Sequence, residues 1–214
     1  MKKLLLVCVA ISVYVACAGA ENQNKNNPIR AVAVLTGVHG ITGTVHFTQT
    51  GCDQPVLVEV NIGGLNTTGQ GFHIHETGDL SNGCTSLAAH YNPHNYNHAG
   101  REDDERHVGD LGNIFGNANG VSNKSFTDEL ISLSGPHSII GRGVIVHLNI
   151  DDLGRTDHPD SLTTGNAGPR VACGVIGYVN SDDPFQCPHS SANILSAAAL
   201  HFLLAMAFLF NKLH

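Results

Sequence analysis

Tryptophan is absent from the 214 residues, methionine occurs twice, and only 14% of the chain is charged. Low charge with 42% hydrophobic residues excludes an extended disordered chain and leaves material for a core. Basic residues are scarce: 11 Lys and Arg face 18 Asp and Glu, a formal charge of −7. The few cations form no patch, which excludes a general nucleic-acid binder. Internal repeats and low-complexity tracts are missing. Outside the two ends, no segment keeps a helical period for three turns. What is abundant is histidine: 14 residues, more than all Lys and Arg together, beside 6 Cys.

Both ends read as processing signals. Met1-Lys2-Lys3, an apolar run from Leu4 to Val15, and Ala18-Gly19-Ala20 have the layout of a secretory signal peptide cleaved after Ala20. At the other end, small residues from Ser190 to Asn193 precede an apolar run from Ile194 to Phe210. That tail is expected to attach the protein to a membrane, as a GPI signal or a short transmembrane helix. The expected organisation is a signal peptide over 1–20, one domain over 21–188 and a hydrophobic anchor over 189–214. Without Lys2, Lys3 and Lys212, 8 basic residues face 18 acidic ones, a formal charge of −10. Cys52, Cys84, Cys173 and Cys187 remain in the domain, and in an oxidising compartment disulfides are expected among them. Asn66-Thr67-Thr68 and Asn123-Lys124-Ser125 are glycosylation sequons, in keeping with a secreted glycoprotein.

The domain reads as all-β. Short β-branched or alternating runs span Ala31 to Leu35, Thr44 to Thr48, Val56 to Ile62, Phe72 to His75, Ile131 to Leu133, Val144 to Leu148 and Val171 to Val179. Several short strands with turn residues between them point to a sandwich or barrel. Two stretches break the rhythm, Glu76 to Asp110 and Asp151 to Pro169. Loops of that length in a compact domain carry function or lack order, and the first holds too many potential ligands for a linker.

His73 and His75 are two apart in a strand, so both rings point to one face. His90, His98, His107 and Asp110 follow in a single loop and can close a tetrahedral zinc site. His147, alone in an apolar strand, would be a core residue; beside the others it reads as a fourth imidazole for the first ion. A four-His site suits copper(II), and a His-and-Asp site suits zinc. The residues alone thus reach a secreted β domain with two nearby metals, and no reaction.

At these residues the sequence resembles the copper/zinc superoxide dismutases. Gly71-Phe72-His73-Ile74-His75-Glu76, Gly83-Cys84-Thr85-Ser86, His90-Tyr91-Asn92-Pro93, Arg106-His107-Val108-Gly109-Asp110-Leu111-Gly112-Asn113 and Gly165-Asn166-Ala167-Gly168-Pro169-Arg170 stand in the family's order. The likeness runs from about Arg30 to about Asn180. It implies an eight-stranded Greek-key β-barrel, an immunoglobulin-like sandwich with two long functional loops, that forms a homodimer. It implies copper and zinc as cofactors, superoxide as substrate, and dismutation to oxygen and hydrogen peroxide. His73, His75, His90 and His147 would hold copper. His90, His98, His107 and Asp110 would hold zinc, with His90 bridging and carrying a proton. Asp151 would join His73 to His98, and Arg170 would bind the anion. Cys84 and Cys173 would form the intrasubunit disulfide, leaving Cys52 and Cys187 as a candidate second pair. A copper-delivery relative would lack copper ligands or the arginine, and a copper-only enzyme would lack the zinc set; this chain keeps all of them. One departure is Thr163, where a steering lysine is common in the family, although Arg155 is kept. His94, His137 and His158 are expected to be surface imidazoles without a metal role. With the signals at the two ends, the protein is expected outside the cell or anchored on its surface.

Overall fold

The computed structural model describes residues 28–52 and 54–179. The signal peptide, Cys187 and the hydrophobic tail lie outside the described residues. Strands run β1 (Ile29–Gly37), β2 (Thr42–Gln49), β3 (Val56–Gly63), β4 (Gln70–His75), β5 (Ser81–Cys84), β6 (Asp110–Ile114), β7 (Ser122–Asp128), β8 (Gly143–His147) and β9 (Arg170–Tyr178). One helical turn, α1 (Ser161–Thr164), sits in the second long loop. Eight strands form one antiparallel sheet in the order β6-β4-β8-β9-β1-β2-β3-β7, curled into a nearly closed barrel. The expected eight-stranded, all-β architecture is the one observed. Among the described residues, no helix is long and apolar enough to cross a membrane.

The period-two runs explain the core. In β3, Val56, Val58, Val60 and Ile62 point inward, while Glu59 and Asn61 stay exposed. Ala31, Ala33 and Leu35 of β1 and Val45 and Phe47 of β2 join them, and Phe72 and Ile74 of β4 meet Val144 and Val146 of β8. With no tryptophan, Phe47 and Phe72 are the largest fully buried side chains. The seam between end strands β6 and β7 is closed by side chains. Lys124 donates to the Asn113 carbonyl at 3.3 Å, and Arg106 pairs with Asp128 at 2.6 Å while donating to the Asp110 carbonyl at 3.0 Å.

The expected strand from Ile131 to Leu133 is not one. Its backbone is satisfied by side chains: Asp128 Oδ1 accepts from the Leu130 and Ile131 amides, and Gln49 Oε1 accepts from Leu133. Only an isolated bridge, Ser132 to Ser138, remains. The Glu76 to Asp110 stretch, in turn, contains β5 and ends where β6 begins.

β4 and β8 are buried on both faces. Their inner residues enter the core, and their outer residues lie beneath the two long loops. The metal-type residues occupy that outer face.

Candidate metal centre

On the outer face of β4, Gly71, His73 and His75 follow at intervals of two. A Cβ on Gly71 would lie 2.8 Å from the Ala167 Cβ and 3.1 Å from the His73 ring, so only glycine leaves room there. The pairing of both strands that carry these histidines is irregular beside the site. The β4–β6 register shifts between Gly71 and His73, and the β8–β9 register shifts between Val146 and His147. Bulges of this kind re-aim a side chain beside a site. Both put the extra residue on the partner strand, in β6 beside Asp110 and in β9 beside Arg170, while β4 and β8 keep the alternation that sets His73, His75 and His147 on one face.

These four histidines are buried, with candidate donor atoms within 4.8 Å of one another. One nitrogen of each ring is held from behind. His73 Nε2 lies 2.8 Å from Asp151 Oδ2, His75 Nδ1 2.8 Å from the Ala88 carbonyl, and His147 Nδ1 2.9 Å from the Gly168 carbonyl. His90 Nδ1 lies 2.9 Å from Asp110 Oδ1. The other nitrogens, His73 Nδ1 and Nε2 of His75, His90 and His147, are buried without a hydrogen-bond partner. Four orphaned nitrogens in one place would be costly unless a cation took their lone pairs.

Behind His90 stands the second group. Asp110 Oδ1 lies 2.9 Å from His90 Nδ1, 3.0 Å from His98 Nδ1 and 3.1 Å from His107 Nδ1. The His98 nitrogen, despite its distance, is not aligned for a hydrogen bond and counts as unpartnered. Ligands bonded at 2.0–2.1 Å to one tetrahedral ion stand about 3.3 Å apart. The four donors are already gathered to nearly that spacing. Asp110 is aimed by its own chain, since Oδ2 accepts from the His107 amide at 3.0 Å and the Ala99 amide at 3.3 Å.

Asp151 ties the groups together. Its Oδ2 faces His73 Nε2, and its Oδ1 faces His98 Nε2, each at 2.8 Å. With both oxygens occupied, this trio reads as a clamp rather than a third ion site. Gly165, at φ +64°, permits the clamp: a Cβ there would fall 1.9 Å from Asp151 Oδ1.

Metal ligation requires neutral imidazoles and ionised carboxylates, a state that His73, His75, His147, Asp151 and Asp110 already favour and His98 does not. Burial, reinforced by neighbouring His90, lowers His73 to about 3 despite its bond to Asp151. Burial likewise lowers His147 to about 4 and His75 still further. Burial opposes ionisation of Asp151, but bonds from His73 and His98 win and hold it near 2. Asp110 behaves the same way, with His107, His90 and His98 overcoming burial and driving it far below the carboxylate range. Without an ion, burial would lower His98, yet the Asp110 and Asp151 carboxylates raise it to about 9.

Arg170 opens β9 opposite His147. Its guanidinium donates to the carbonyls of Cys84 at 2.7 Å and Thr85 at 3.0 Å, and to that of Ala88. The Ala88 carbonyl also accepts from His75 Nδ1, so one backbone oxygen positions both side chains. Ala88 reaches this place with φ +62°, a region that L residues rarely adopt. The Cys84–Cys173 disulfide fastens the same loop to β9. Cys52 is also disulfide-bonded. A hollow of about 280 Å³ is lined by His75, His90, His147 and Arg170, together with Asp160 and Thr163. A larger hollow at the barrel seam is lined by Arg101, Phe126, Arg106 and Asp128. The last two are already paired there, so the orphaned nitrogens make the smaller hollow the site.

The structure therefore brings together His73, His75, His90, His98, His107, Asp110, His147, Asp151 and Arg170. Two contributors had no sequence signal. The Ala88 carbonyl is backbone, and Gln70, which donates to the His147 carbonyl at 2.8 Å, looks like any strand polar residue.

The family model for copper/zinc superoxide dismutase matches residues 41–176. An extracellular copper-zinc superoxide dismutase of Drosophila melanogaster is 48% identical over 182 residues, spanning 83% of this chain and 99% of its own. A copper-zinc superoxide dismutase of Saccharomyces cerevisiae is 50% identical over 153 residues, 71% of this chain and 99% of its own. Among solved structures, the clock protein EA4 superposes with a TM-score of 0.68 at 50% identity, covering 74% of this chain and 99% of that one.

Proposed function

This chain belongs to the copper/zinc superoxide dismutase family, and from that premise we propose how its own residues dismutate superoxide and where they do so. The observation that carries the reading is the set of five orphaned, buried ring nitrogens, four facing one group and one the other, with His90 in both. His73 Nδ1 and Nε2 of His75, His90 and His147 hold copper. His90 Nδ1, His98 Nδ1, His107 Nδ1 and Asp110 Oδ1 hold zinc. Copper supplies the one-electron chemistry that turns two superoxide ions and two protons into oxygen and hydrogen peroxide, and zinc supplies charge and geometry.

The chain supplies the rest. Arg170 presents fixed cationic donors for a small anion at the mouth of the hollow. Its other N–H groups are occupied by Cys84, Thr85 and Ala88, so the guanidinium keeps its aim. His90 keeps Nδ1 among Asp110, His98 and His107, while Nε2 faces the other group and is the atom that takes up and returns a proton. Asp151 fixes both His73 and His98 in the tautomer that leaves Nδ1 free. Ala88 does the reverse for His75, leaving Nε2 free.

The protein works outside the cell. The signal-peptide layout at Met1 to Ala20 and the extracellular relative support this. The tail from Ile194 holds it at the membrane, the exposed Asn66 and Asn123 carry glycans, and exposed Val34 on β1 contributes to a homodimer face.

The test is expression of the full chain in a eukaryotic secretory host, loading with copper and zinc, and measurement of superoxide decay beside a His147→Ala control. Rapid decay lost in the control is expected. Decay no faster than buffer, with both metals bound, would reject the catalytic assignment. Surface-to-medium release by phospholipase C would separate a GPI anchor from a retained helix.

A further inference from the structure

The histidines outside the two buried groups are not all isolated. His94 and His137 lie 43 positions apart, in different loops, yet their ring centroids are 5.2 Å apart at an interplanar angle of 64°. We propose that this exposed pair binds a divalent transition cation, zinc or copper(II), as a third site that exchanges with solvent. The inference goes beyond dismutation and does not depend on it.

The ring spacing is that of a shared ion. An imidazole bound at 2.0–2.1 Å places its centroid about 3.2 Å from the metal, and two such rings at a tetrahedral angle have centroids about 5.2 Å apart. The buried histidines around Asp110 give an internal standard: 5.3 Å for His90–His98, 5.5 Å for His90–His107 and 5.6 Å for His98–His107, with interplanar angles of 61–85°. The surface pair matches both quantities.

Both loops are stiff. The Asn92 side chain closes a turn around His94, donating to the Tyr96 carbonyl at 2.9 Å and accepting from the Tyr96 amide at 3.1 Å. His137 sits in the turn Gly135-Pro136-His137-Ser138, closed by the Ser138 amide on the Gly135 carbonyl at 3.2 Å. The backbone beneath each ligand is thus set before an ion arrives, which lowers the entropic cost of binding. His137 also has a partner behind it. Its Nδ1 lies 3.4 Å from the hydroxyl of the buried Tyr91, whose ring is covered by Arg142 at 3.6 Å. With Nδ1–H donating to that hydroxyl, Nε2 is left free as a ligand. Two imidazoles with the remaining positions open to water suit zinc, copper(II) or nickel(II).

The experiment is equilibrium dialysis of the copper- and zinc-loaded full-length protein against added zinc, with metal content read by mass spectrometry. A third zinc equivalent is expected. It should weaken about tenfold or more in both His94→Ala and His137→Ala, with the two buried equivalents and dismutation unchanged. His158→Ala, at an exposed imidazole in the second long loop, should retain it. No third equivalent, or one that survives both substitutions, would overturn the proposal.

Discussion

Superoxide must enter an acidic domain through a hollow lined by Arg170, Asp160 and Thr163. Thr163 lies in α1 and Asp160 is its N-cap; both are exposed, so substitution there leaves the core untouched. A unit charge about 10 Å from an anion in water-like surroundings changes its energy by about 0.4 kcal/mol, a factor of about two in local concentration. Thr163→Lys adds one favourable unit and Asp160→Asn removes one unfavourable unit. Each should raise the rate constant about twofold at low salt, and the pair together about fourfold. The gain should shrink between about 0.01 M salt, where the screening length is near 30 Å, and 0.15 M, where it is near 8 Å. Pulse radiolysis across that range reads the decay of superoxide directly. Thr163→Met provides length without charge and should give no gain. A Thr163→Lys protein no faster than the native one, or a gain that is equal at both ionic strengths, would refute electrostatic entry as the limiting term.

Three other outcomes follow from the geometry. Asp151→Asn leaves one acceptor for two ring N–H groups, so affinity for metals should fall about 10- to 100-fold in chelator competition; unchanged affinities would sink the clamp. Replacing Cys84 and Cys173 by serine opens a loop of 89 residues, worth about 4 to 5 kcal/mol on chain-entropy grounds, and the urea midpoint should fall accordingly. A change below about 1 kcal/mol would mean that the loop is held without it. In the metal-free protein His98 keeps a proton up to about pH 9, so zinc binding at pH 7.4 should release about one proton, read by calorimetry in buffers of different ionisation heat. Because that folded-state value is raised above 6.5, its contribution to metal-free stability is complete below pH 6.5 and lost as pH rises through 9. Release that persists in His98→Ala would show that the proton comes from elsewhere.

Legibility in the sequence followed physical simplicity. β3 was readable because Val56, Val58, Val60 and Ile62 need only alternate to be buried. His73 and His75 were readable for the same reason, since a spacing of two fixes a shared face. β7 was not, because Ser122–Asp128 is polar and its inward Lys124 and Phe126 close a seam instead of filling a centre. Ile131 to Leu133 had strand composition, but Asp128 and Gln49 satisfied its amides before any ladder could. The bulges in β6 beside Asp110 and in β9 beside Arg170 left no trace in composition. Asp151 and Arg170 were reached only through the family resemblance, since a lone acid and a lone arginine carry no spacing. The His94–His137 contact depends on how two loops fold over each other, and no local pattern reports that.

These limits share a cause at Arg170. β9 fixes where its Cα stands, but the guanidinium is held by three carbonyls at Cys84, Thr85 and Ala88, all on the long loop. That loop has few apolar anchors: Leu87 packs on Ile145 beside the disulfide, and Tyr91 and Val108 reach the main core. Its further course is pinned by His90, His98 and His107 around Asp110. Order in the zinc-type group therefore reaches Arg170 through the backbone between His90 and Ala88, two residues away. On the proposed assignment the zinc-type group would act through the position of a carbonyl as well as through charge, and the strain at Ala88 is borne by the contacts that hold that loop closed.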